Sequence, residues 1–406
     1  MNYLLQDIIS AVLFILLIML DESLAQPSAR ITLRGAVVDA KTGRPLHNAN
    51  VFIANSLKGD ATNEQGFFVI RNVPEGTYQI VASVIGYEAE KQTIRITSGF
   101  KKLLIFELTP KVIPLQEVVV SAKDQKEWRN NLKKFTELLI GKTQNASETK
   151  ILNPLILEFQ RAKSGVFAAV ANEALIIENK ALGYKLYYVL EKFEATLRYV
   201  KYSGIPKFEE LTPETPDQLK KWQDNRKRAY NGSLRHFITT LCTNYDSTVA
   251  DLEDRKYKLT SNVNEQGSKI DYKKEDSYIE KEGFHVLWVN HPWRYPQLFE
   301  LVNTNTYLAP GESPTERYLK FSDYLQIRYT REKPEDNYYK NVRGSKRQDV
   351  QVSWIKLEAD SVMIDTRGRY FDKFKINTLG YWSWERLADM VPLDYQSAIE
   401  RSKEEF

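Results

Sequence analysis

The stretch GAVVDAKTGRPLHNANVFI, residues 35–53, decides the first part of the fold, because it joins two β-prone segments through a tight turn. Gly43 supplies the positive φ angle that such a turn needs. Beyond the turn, Ala49, Val51 and Ile53 alternate with other residues and are expected to face the interior. The pattern therefore predicts two strands with a turn between them.

The alternation of strands and turns continues to about residue 109. The turn sequences at 63–66 (NEQG) and 74–76 (PEG) precede the apolar segments FFVIRNV and TYQIVASVIGY. In the second segment a period of two places four side chains on one face: Tyr78, Ile80, Ala82 and Val84. Short strands at regular spacing with glycine turns predict an antiparallel β-sandwich.

Two blocks of this region, GAVVDAKTGRPLHNANVFI and ATNEQGFFVIRNVPEGTYQIVASVIGYE, carry a family resemblance. They resemble the carboxypeptidase-like regulatory domain, a transthyretin-like sandwich common at the N-terminus of exported proteins of Bacteroidota. The resemblance implies a β-sandwich module of an envelope protein. It implies no peptidase activity, since that domain carries no catalytic residues.

The bulk composition suits two or three folded domains in a chain of 406 residues, with 42% apolar and 27% charged residues. The 23 Tyr and 18 Phe favour β-rich architecture. A single cysteine, Cys242, excludes an internal disulfide, and its apolar helical surroundings predict a buried thiol. The net charge of +4, without a Lys/Arg block, indicates no nucleic-acid partner.

The first 25 residues predict an export signal. The apolar run Ile8–Leu20 has the length of a signal core, and small residues precede a cleavage site between Ala25 and Gln26. The alternative is an uncleaved anchor, because the segment lacks a basic residue. We therefore expect an exported protein of the periplasm or the outer membrane.

The segment LQEVVVSA, residues 115–122, resembles the lead-in of TonB-dependent outer-membrane receptors, where an extended strip pairs with the energising partner. Val118–Val120 favour the extended backbone that strand addition requires. The remainder of the chain is too short for such a receptor, because its strands alone need roughly 220 residues before plug and loops. We interpret the segment as a linker strand, with partner docking as the alternative.

The remainder of the chain predicts an α+β domain with a large antiparallel sheet. Asp124 is a candidate N-cap for an amphipathic helix, and Thr215 with Pro216 begins another. The apolar stripe of the first helix consists of Trp128, Leu132, Phe135 and Leu139. The blocks ENKALGYKLYY, RKRAYNGSLRHF and LGYWSWERLADMVPLDY resemble a family of exported Bacteroidota proteins without a receptor barrel, for which no reaction is implied. The predicted segments are a signal peptide (1–25), the sandwich (30–110), a linker strand and helix (111–145), and the α+β domain (146–406).

No catalytic, cofactor or metal residues are predicted. His285 and His291 lie on a predicted strand, and six residues separate them by roughly 20 Å. Arg235 and His236 beside Tyr230 could line a polar pocket, but a basic solvated helix face is the simpler interpretation.

Other chemical patterns are equally unspecific. Asp60, Asn63 and Glu64 lack the alternating oxygens of an EF-hand and are interpreted as a polar hairpin turn. The pairs Glu209-Glu210 and Asp323 with Glu332 give no spacing argument for glycoside cleavage. Five tryptophans could form a sugar platform or belong to the core: Trp288, Trp293, Trp354, Trp382 and Trp384.

The main hypothesis is therefore a non-catalytic envelope protein that acts as a binding or assembly module. An envelope protein or a glycan is the expected partner, with peripheral association with the outer membrane. A hydrolase of peptides or glycans, with its site in the C-terminal domain, is the first alternative. A TonB-linked transport accessory is the second. The sequence gives no oligomeric state.

Overall fold

The structure is a computed structural model, and it describes nine stretches of the chain. They are residues 30–111, 122–161, 165–243, 245, 278–292, 300–301, 307–342, 347–372 and 374–395. The predicted signal segment, most of LQEVVVSA, and Trp293 lie outside the described residues. The domain boundaries predicted above stay predictions.

The first seven strands form the β-sandwich that the sequence predicts. They are β1 (Ile31–Asp39), β2 (Asn50–Ile53), β3 (Gly59–Ala61), β4 (Phe67–Val73), β5 (Gly76–Ser83), β6 (Glu90–Ile96) and β7 (Leu104–Leu108). One sheet has the order β4-β1-β7 and the other β3-β2-β5-β6. All pairs are antiparallel except β1 with β7. Ala49, Val51 and Ile53 are buried between the sheets, as their alternation predicts.

Gly35 marks a place where the sandwich is packed too tightly for any side chain. A Cβ atom there would lie 2.1 Å from the carbonyl oxygen of Leu104 and 2.5 Å from the ring of Phe68. Glycine is therefore required where β1 runs between β4 and β7.

The second body is α+β, as predicted. Its strands are β8 (Thr149–Ile151), β9 (Leu157–Arg161), β10 (Phe167–Ala171), β11 (Leu175–Asn179), β12 (Tyr184–Ala195), β13 (Val200–Glu210), β14 (Phe284–Val289), β15 (Glu300–Leu301), β16 (Leu308–Pro310), β17 (Glu316–Leu319), β18 (Tyr324–Tyr329), β19 (Gln351–Leu357), β20 (Val362–Asp365) and β21 (Ile376–Gly380). These strands form three sheets. The first has the strand order β8-β11-β12-β10-β9, with β13 paired to β12. The second has the order β15-β14-β18-β19-β21 and the third the order β16-β17-β20.

Helices connect and cover these sheets. They are α1 (Ala122–Leu139), α2 (Gln144–Ser147), α3 (Pro216–Tyr230), α4 (Leu234–Thr243), α5 (Tyr278–Lys281), α6 (Asp336–Asn341) and α7 (Tyr381–Trp384). Two 3₁₀ turns occupy Pro154–Ile156 and Leu387–Asp389. Among the described residues, no helix is both long and apolar enough to cross a membrane.

The helix predictions hold with one correction. Thr215 caps α3 by accepting a hydrogen bond from the Gln218 N–H, and Pro216 is the first helical residue, as predicted. The predicted cap at Asp124 is wrong, because α1 already begins at Ala122 and Asp124 therefore lies within its first turn. Within the predicted apolar stripe of α1, the burial of Phe135 is confirmed. Its side chain is fully buried, and its ring lies 4.7 Å from that of Phe193.

The sandwich is joined to the second body along the outward face of its β3-β2-β5-β6 sheet. Phe52 and Val81 are buried there against Ile205 of β13 and Val189 of β12. Backbone hydrogen bonds fasten the turn after β2 to two distant segments. They run from Asn55 N–H to Pro206 O (2.8 Å), from Phe208 N–H to Ser56 O (3.0 Å) and from Leu393 N–H to Asn55 O (2.7 Å). The apolar contact and these bonds together fix the two parts relative to each other.

Charged side chains close the rim of this junction. Glu316 of β17, almost fully buried, accepts hydrogen bonds from Thr77 Oγ1 (2.6 Å) and from Arg95 Nη2 (2.8 Å). The guanidinium groups of Arg367 and Arg369 lie 5.0 and 4.7 Å from the centre of the Tyr78 ring. Cation–π contact of this kind adds to the ion pair.

Candidate functional site

A small polar cavity in the second body is the strongest candidate site among the described residues. Its volume is about 30 Å³, and it is partly open to solvent. The lining residues are Thr143, Asn145, Arg228, Ala229, Glu332, Lys333, Glu335, Gln351, Tyr381, Glu385 and Asp389. We call this the acidic cavity, because four carboxyl groups line it against two cationic side chains.

Five short segments position these side chains. Thr143 is the N-cap of α2, where its side chain accepts a hydrogen bond from the Ala146 N–H, and Asn145 follows within that helix. The others are the C-terminal turn of α3 (Arg228, Ala229), the loop after β18 (Glu332, Lys333, Glu335), the first residue of β19 (Gln351), and the chain from α7 to the last 3₁₀ turn (Tyr381, Glu385, Asp389). Helix and strand ends thus meet at one point.

The four carboxyl groups hold their protons more tightly than usual. Burial raises the pKa of Glu332 to about 7 and that of Asp389 to about 7. Burial also raises the pKa of Glu385 well above its ordinary value, and the charges of Asp389, Glu332 and Glu335 raise it further. The pKa of Glu335 is raised by burial as well. Like charges in a half-dry site cannot all be ionised together, so part of the cluster is neutral near pH 7.

Hydrogen bonds oppose these shifts without cancelling them. Asn145 Nδ2 donates to Asp389 Oδ1 at 2.9 Å, and the Gln144 N–H donates to Glu335 Oε2 at 2.9 Å. Lys333, which follows Glu332 in the chain, forms an ion pair with Asp349 instead, at 2.8 Å between Nζ and Oδ1. Burial has the larger effect on the pKa values of Glu332 and Glu335, but the charge of Arg228 opposes it at both, so the carboxyl groups are held in place and partly compensated.

Two amide oxygens at the acidic cavity lack partners. Asn145 and Gln351 are 2% and 4% exposed. Within the described part of the chain, neither Asn145 Oδ1 nor Gln351 Oε1 has a hydrogen-bond partner. A buried acceptor without a donor costs about 1–3 kcal/mol, so such atoms need an explanation. Each oxygen has less than 1 Å² of accessible surface, so a water-sized group in the cavity does not reach it.

A second polar cluster surrounds His236 in α4. Its Nδ1 accepts the Gly232 N–H at 3.1 Å, so Nε2 carries the proton of the neutral ring, 3.9 Å from Glu282 Oε2. Burial, with the positive charges of Arg331 and Arg235, lowers the pKa of His236 to about 4. The imidazole is thus neutral near pH 7 and packed in the interior.

The interpretation of Arg235 and His236 as a solvated helix face is wrong. His236 is buried, with its ring 4.8 Å from that of Phe284 and 5.0 Å from that of Tyr230. Arg235 is part-buried, and its guanidinium donates to carbonyl oxygens of the last described loop, among them Pro392 at 2.6 Å. The physical reason is that these carbonyls need a donor where the loop crosses α4.

The other predicted candidates are dispersed. Asp60 Oδ2 accepts the Val69 N–H, and Asn63 Oδ1 accepts the Phe67 N–H, which confirms a polar hairpin turn. Trp382 and Trp384 are buried, and Trp382 Nε1 donates to the Gly232 carbonyl oxygen, so both belong to the core. Cys242 is a buried free thiol, as predicted.

Of the residues singled out in the sequence, Glu332 alone lines the acidic cavity. Glu385 and Asp389 lie in the block LGYWSWERLADMVPLDY, which was noted for its resemblance but not for its chemistry, and only the folded chain brings 143–145, 332–335 and 385–389 together. In the described residues, no three His, Cys, Asp or Glu side chains are arranged so that they could hold a metal ion.

The fold defines a two-part protein, a β-sandwich joined to an α+β body. The comparisons with known proteins support the assignment of the sandwich. Residues 33–120 match the family model of the CarboxypepD_reg-like domain. The match confirms the predicted resemblance for the N-terminal domain, and that domain is of a non-catalytic kind. No curated protein matches the chain.

Several solved structures resemble parts of the chain. One is a type II cohesin-X-dockerin complex from Acetivibrio cellulolyticus, with 19% identity and a TM-score of 0.18, covering 25% of this chain and 72% of that chain. Another is a DUF3823 family protein from Parabacteroides merdae, with 12% identity and a TM-score of 0.17, covering 48% and 84%. At these TM-scores neither likeness says anything about function.

Proposed function

We propose that the protein is a non-catalytic binding or assembly protein of the bacterial cell envelope. The sandwich acts as a fixed spacing module, and the second body presents the binding surface. The non-catalytic nature of the CarboxypepD_reg-like domain supports this role. The export signal, the outer-membrane association and the origin in Bacteroidota are parts of the proposal that rest on the sequence patterns described above.

The observation that carries the proposal is the junction between sandwich and second body. A domain on a flexible linker would not bury Phe52 and Val81 against its neighbour, nor place Glu316 between Thr77 and Arg95. An apolar interface favours one relative orientation of two domains, because separating them exposes the buried side chains to water. A fixed orientation is what a spacing or assembly module requires.

Fractionation of cells that express the tagged protein tests this proposal. We expect the protein in the periplasmic or outer-membrane fraction, with a mature N-terminus at Gln26 by mass spectrometry. Purified protein should not turn over peptide or glycan substrates. Intact protein in the cytosol would contradict the placement.

A hydrolase remains the second candidate, and one observation favours it. Glu332 and Asp389 line the same cavity, and burial raises the pKa of each to about 7. Carboxyl groups with such pKa values serve as general acids and bases. The volume of about 30 Å³, however, admits a water molecule or a small group rather than a sugar ring. Turnover that Asp389→Asn abolishes, while the folded state persists, would establish the enzyme.

The proposal of a TonB-linked accessory concerns Val118–Val120, which lie outside the described residues. Replacing Val119 with proline removes a backbone donor and hinders strand addition. A loss of binding to a TonB-type partner in Val119→Pro would support this role. Unchanged binding would remove it.

A further inference from the structure

We propose that the outward face of the β4-β1-β7 sheet binds the same face of a second copy of this chain, about a two-fold axis that runs across the strands. The inference names a partner for the assembly role proposed above and rests on that role. We call this surface the outer face. It lies on the side of the sandwich away from the junction, because the second body packs on the outward face of the other sheet.

An apolar row crosses the middle of the outer face. Ala36 of β1 is aligned with Phe67 of β4 on one side and with Ile105 of β7 on the other. The alternate positions of these strands belong to the core of the sandwich, so Phe67 and Ile105 point outward. Phe67 and Ile105 are 52% and 51% exposed, and Leu103, two positions before Ile105, is 52% exposed as well. Large apolar side chains grouped on one exposed face mark an interaction surface.

The edges of this sheet are blocked by side chains. On β4 the N–H of Val69 donates to Asp60 Oδ2 at 2.7 Å, and on β7 the N–H of Glu107 donates to Glu90 Oε2 at 2.7 Å. A strand that pairs with a sheet edge needs those backbone groups for its own hydrogen bonds. A partner of this sheet is therefore expected to use the face and not an edge.

The outer face is basic at one end and acidic at the other. Arg34 precedes Ala36 by two positions, and the exposed Arg71 lies further toward the same end. Glu107 is aligned with Val38, on the opposite side of the apolar row. The turns beyond the acidic end carry exposed charges of both signs: Lys41, Arg44 and Glu64. On the strands themselves, the face is therefore complementary to a reversed copy of itself.

A two-fold axis along the apolar row uses this complementarity. Phe67, Ala36 and Ile105 of one copy then pack on the same row of the other copy, as in an isologous interface. The axis reverses the strand direction, so Arg34 of each copy faces the Glu107 end of the other. Packed sheets lie about 10 Å apart, a distance that an arginine and a glutamate span together. An axis along the strands would instead bring the two basic ends together.

The size of the outer face predicts a weak dimer. Three strands about 4.8 Å apart and six residue steps of about 3.3 Å give a face of about 14 by 20 Å. This is roughly 300 Å² for each copy, whereas a stable complex buries about 800 Å² for each partner. The association is therefore reversible and depends on protein concentration.

Sedimentation equilibrium of the mature chain tests the proposal. Over concentrations up to about 0.5 mM we expect a reversible equilibrium of monomer and dimer. Ile105→Ser should raise the dissociation constant about tenfold or more, because apolar area is lost in both copies. Leu197→Ser is the control, since Leu197 is a fully exposed leucine of the second body. A monomer at every concentration, or equal effects of the two folded variants, would overturn the proposal.

An exchange of charges tests the two-fold arrangement. Arg34→Glu and Glu107→Arg should each weaken self-association, because each places like charges across the interface at both related contacts. A mixture of the two variants should form heterodimers at least as tightly as the wild type, since every such contact then joins opposite charges. Lys220→Glu, at an exposed position of α3, should change nothing.

Fluorescence-detected sedimentation with one labelled variant measures the heterodimer. A mixture that associates no better than the single variants would refute the arrangement. Higher salt should weaken the heterodimer, because its charge pairs are exposed at the rim. Failure of every one of these associations would end this inference, while the envelope fractionation would still decide the proposed function.

Discussion

Thr77 Oγ1 donates a hydrogen bond to Glu316 Oε1 at 2.6 Å, although 239 positions separate the two residues in the chain. The other oxygen of this carboxylate accepts a hydrogen bond from Arg95 Nη2 at 2.8 Å. Glu316 belongs to the second body, and its two partners belong to the sandwich. One buried carboxylate thus connects the two parts of the protein.

Replacing Glu316 with alanine should lower the free energy of unfolding by about 1–3 kcal/mol, because Thr77 and Arg95 lose their acceptor. Chemical denaturation followed by tryptophan fluorescence measures the change. Glu312→Gln is the control, since Glu312 lies 3.4 Å from Arg95 Nη1 but is exposed. Exposed pairs contribute about 0–1 kcal/mol, so equal effects of the two variants would contradict the special role of Glu316.

The apolar half of the junction gives a second prediction. Phe52→Ala should destabilise the protein by about 3–5 kcal/mol, the usual cost of removing a buried phenylalanine. Phe67→Ala is a matched control, because Phe67 lies on the sandwich but is 52% exposed. Hydrogen exchange should show loss of protection in β2 and β13 for Phe52→Ala alone. Equal stability of both variants would mean that the two parts separate in solution.

The acid cluster should make stability depend on pH. A carboxyl group whose folded pKa lies above its unfolded pKa stabilises the protein below about pH 4.5, and this contribution is lost as pH rises through about 7. Glu385→Gln removes one of the competing charges, so it should raise the unfolding midpoint by about 2–4 °C at high pH. Near pH 4 the variant and the wild type should agree. Equal unfolding midpoints of Glu385→Gln and the wild type at high pH would contradict this prediction.

His236 should produce the opposite trend at lower pH. Its folded pKa of about 4 lies below the ordinary value of 6.5, so the unfolded chain binds the proton more tightly. Stability is then full above about pH 6.5 and is lost as pH falls toward 4. His236→Phe keeps a ring and removes the titration, so its stability should fall less over this range. A His236→Phe variant that loses stability between pH 6.5 and 4 as steeply as the wild type would contradict this prediction.

The sandwich could be predicted from the sequence because its turns and its alternation are local signals. The junction was missed, although a signal was present. In β2 and β5 the apolar residues are consecutive rather than alternating, and both faces of these strands are buried. Phe52 and Val81 therefore indicated a second covering layer, since a continuous apolar run is typical of a strand buried on both sides.

The acidic cavity could not be predicted in the same way. Its carboxyl groups come from short loops near residues 332–335 and 385–389, where acids are ordinary surface residues by composition. Their raised pKa values arise from the burial and mutual repulsion that the folded arrangement creates. The prediction that Arg235 lies on a solvated helix face was wrong because its hydrogen-bond acceptors are carbonyl groups more than 130 positions away in the chain. Such distant partners leave no signal in the local sequence.

The hydrogen bond from the Leu393 N–H to the Asn55 carbonyl oxygen has a consequence for biogenesis. The sandwich is translated first, but Phe52 and Val81 on its outer surface are covered only after Ile205 has been synthesised. The hydrogen bond to Asn55 forms only after Leu393 has been synthesised. The nascent chain therefore exposes an apolar sheet face, with Phe52 and Val81, during much of its synthesis. Any factor that keeps such intermediates apart would act on this face before the rest of the polypeptide arrives.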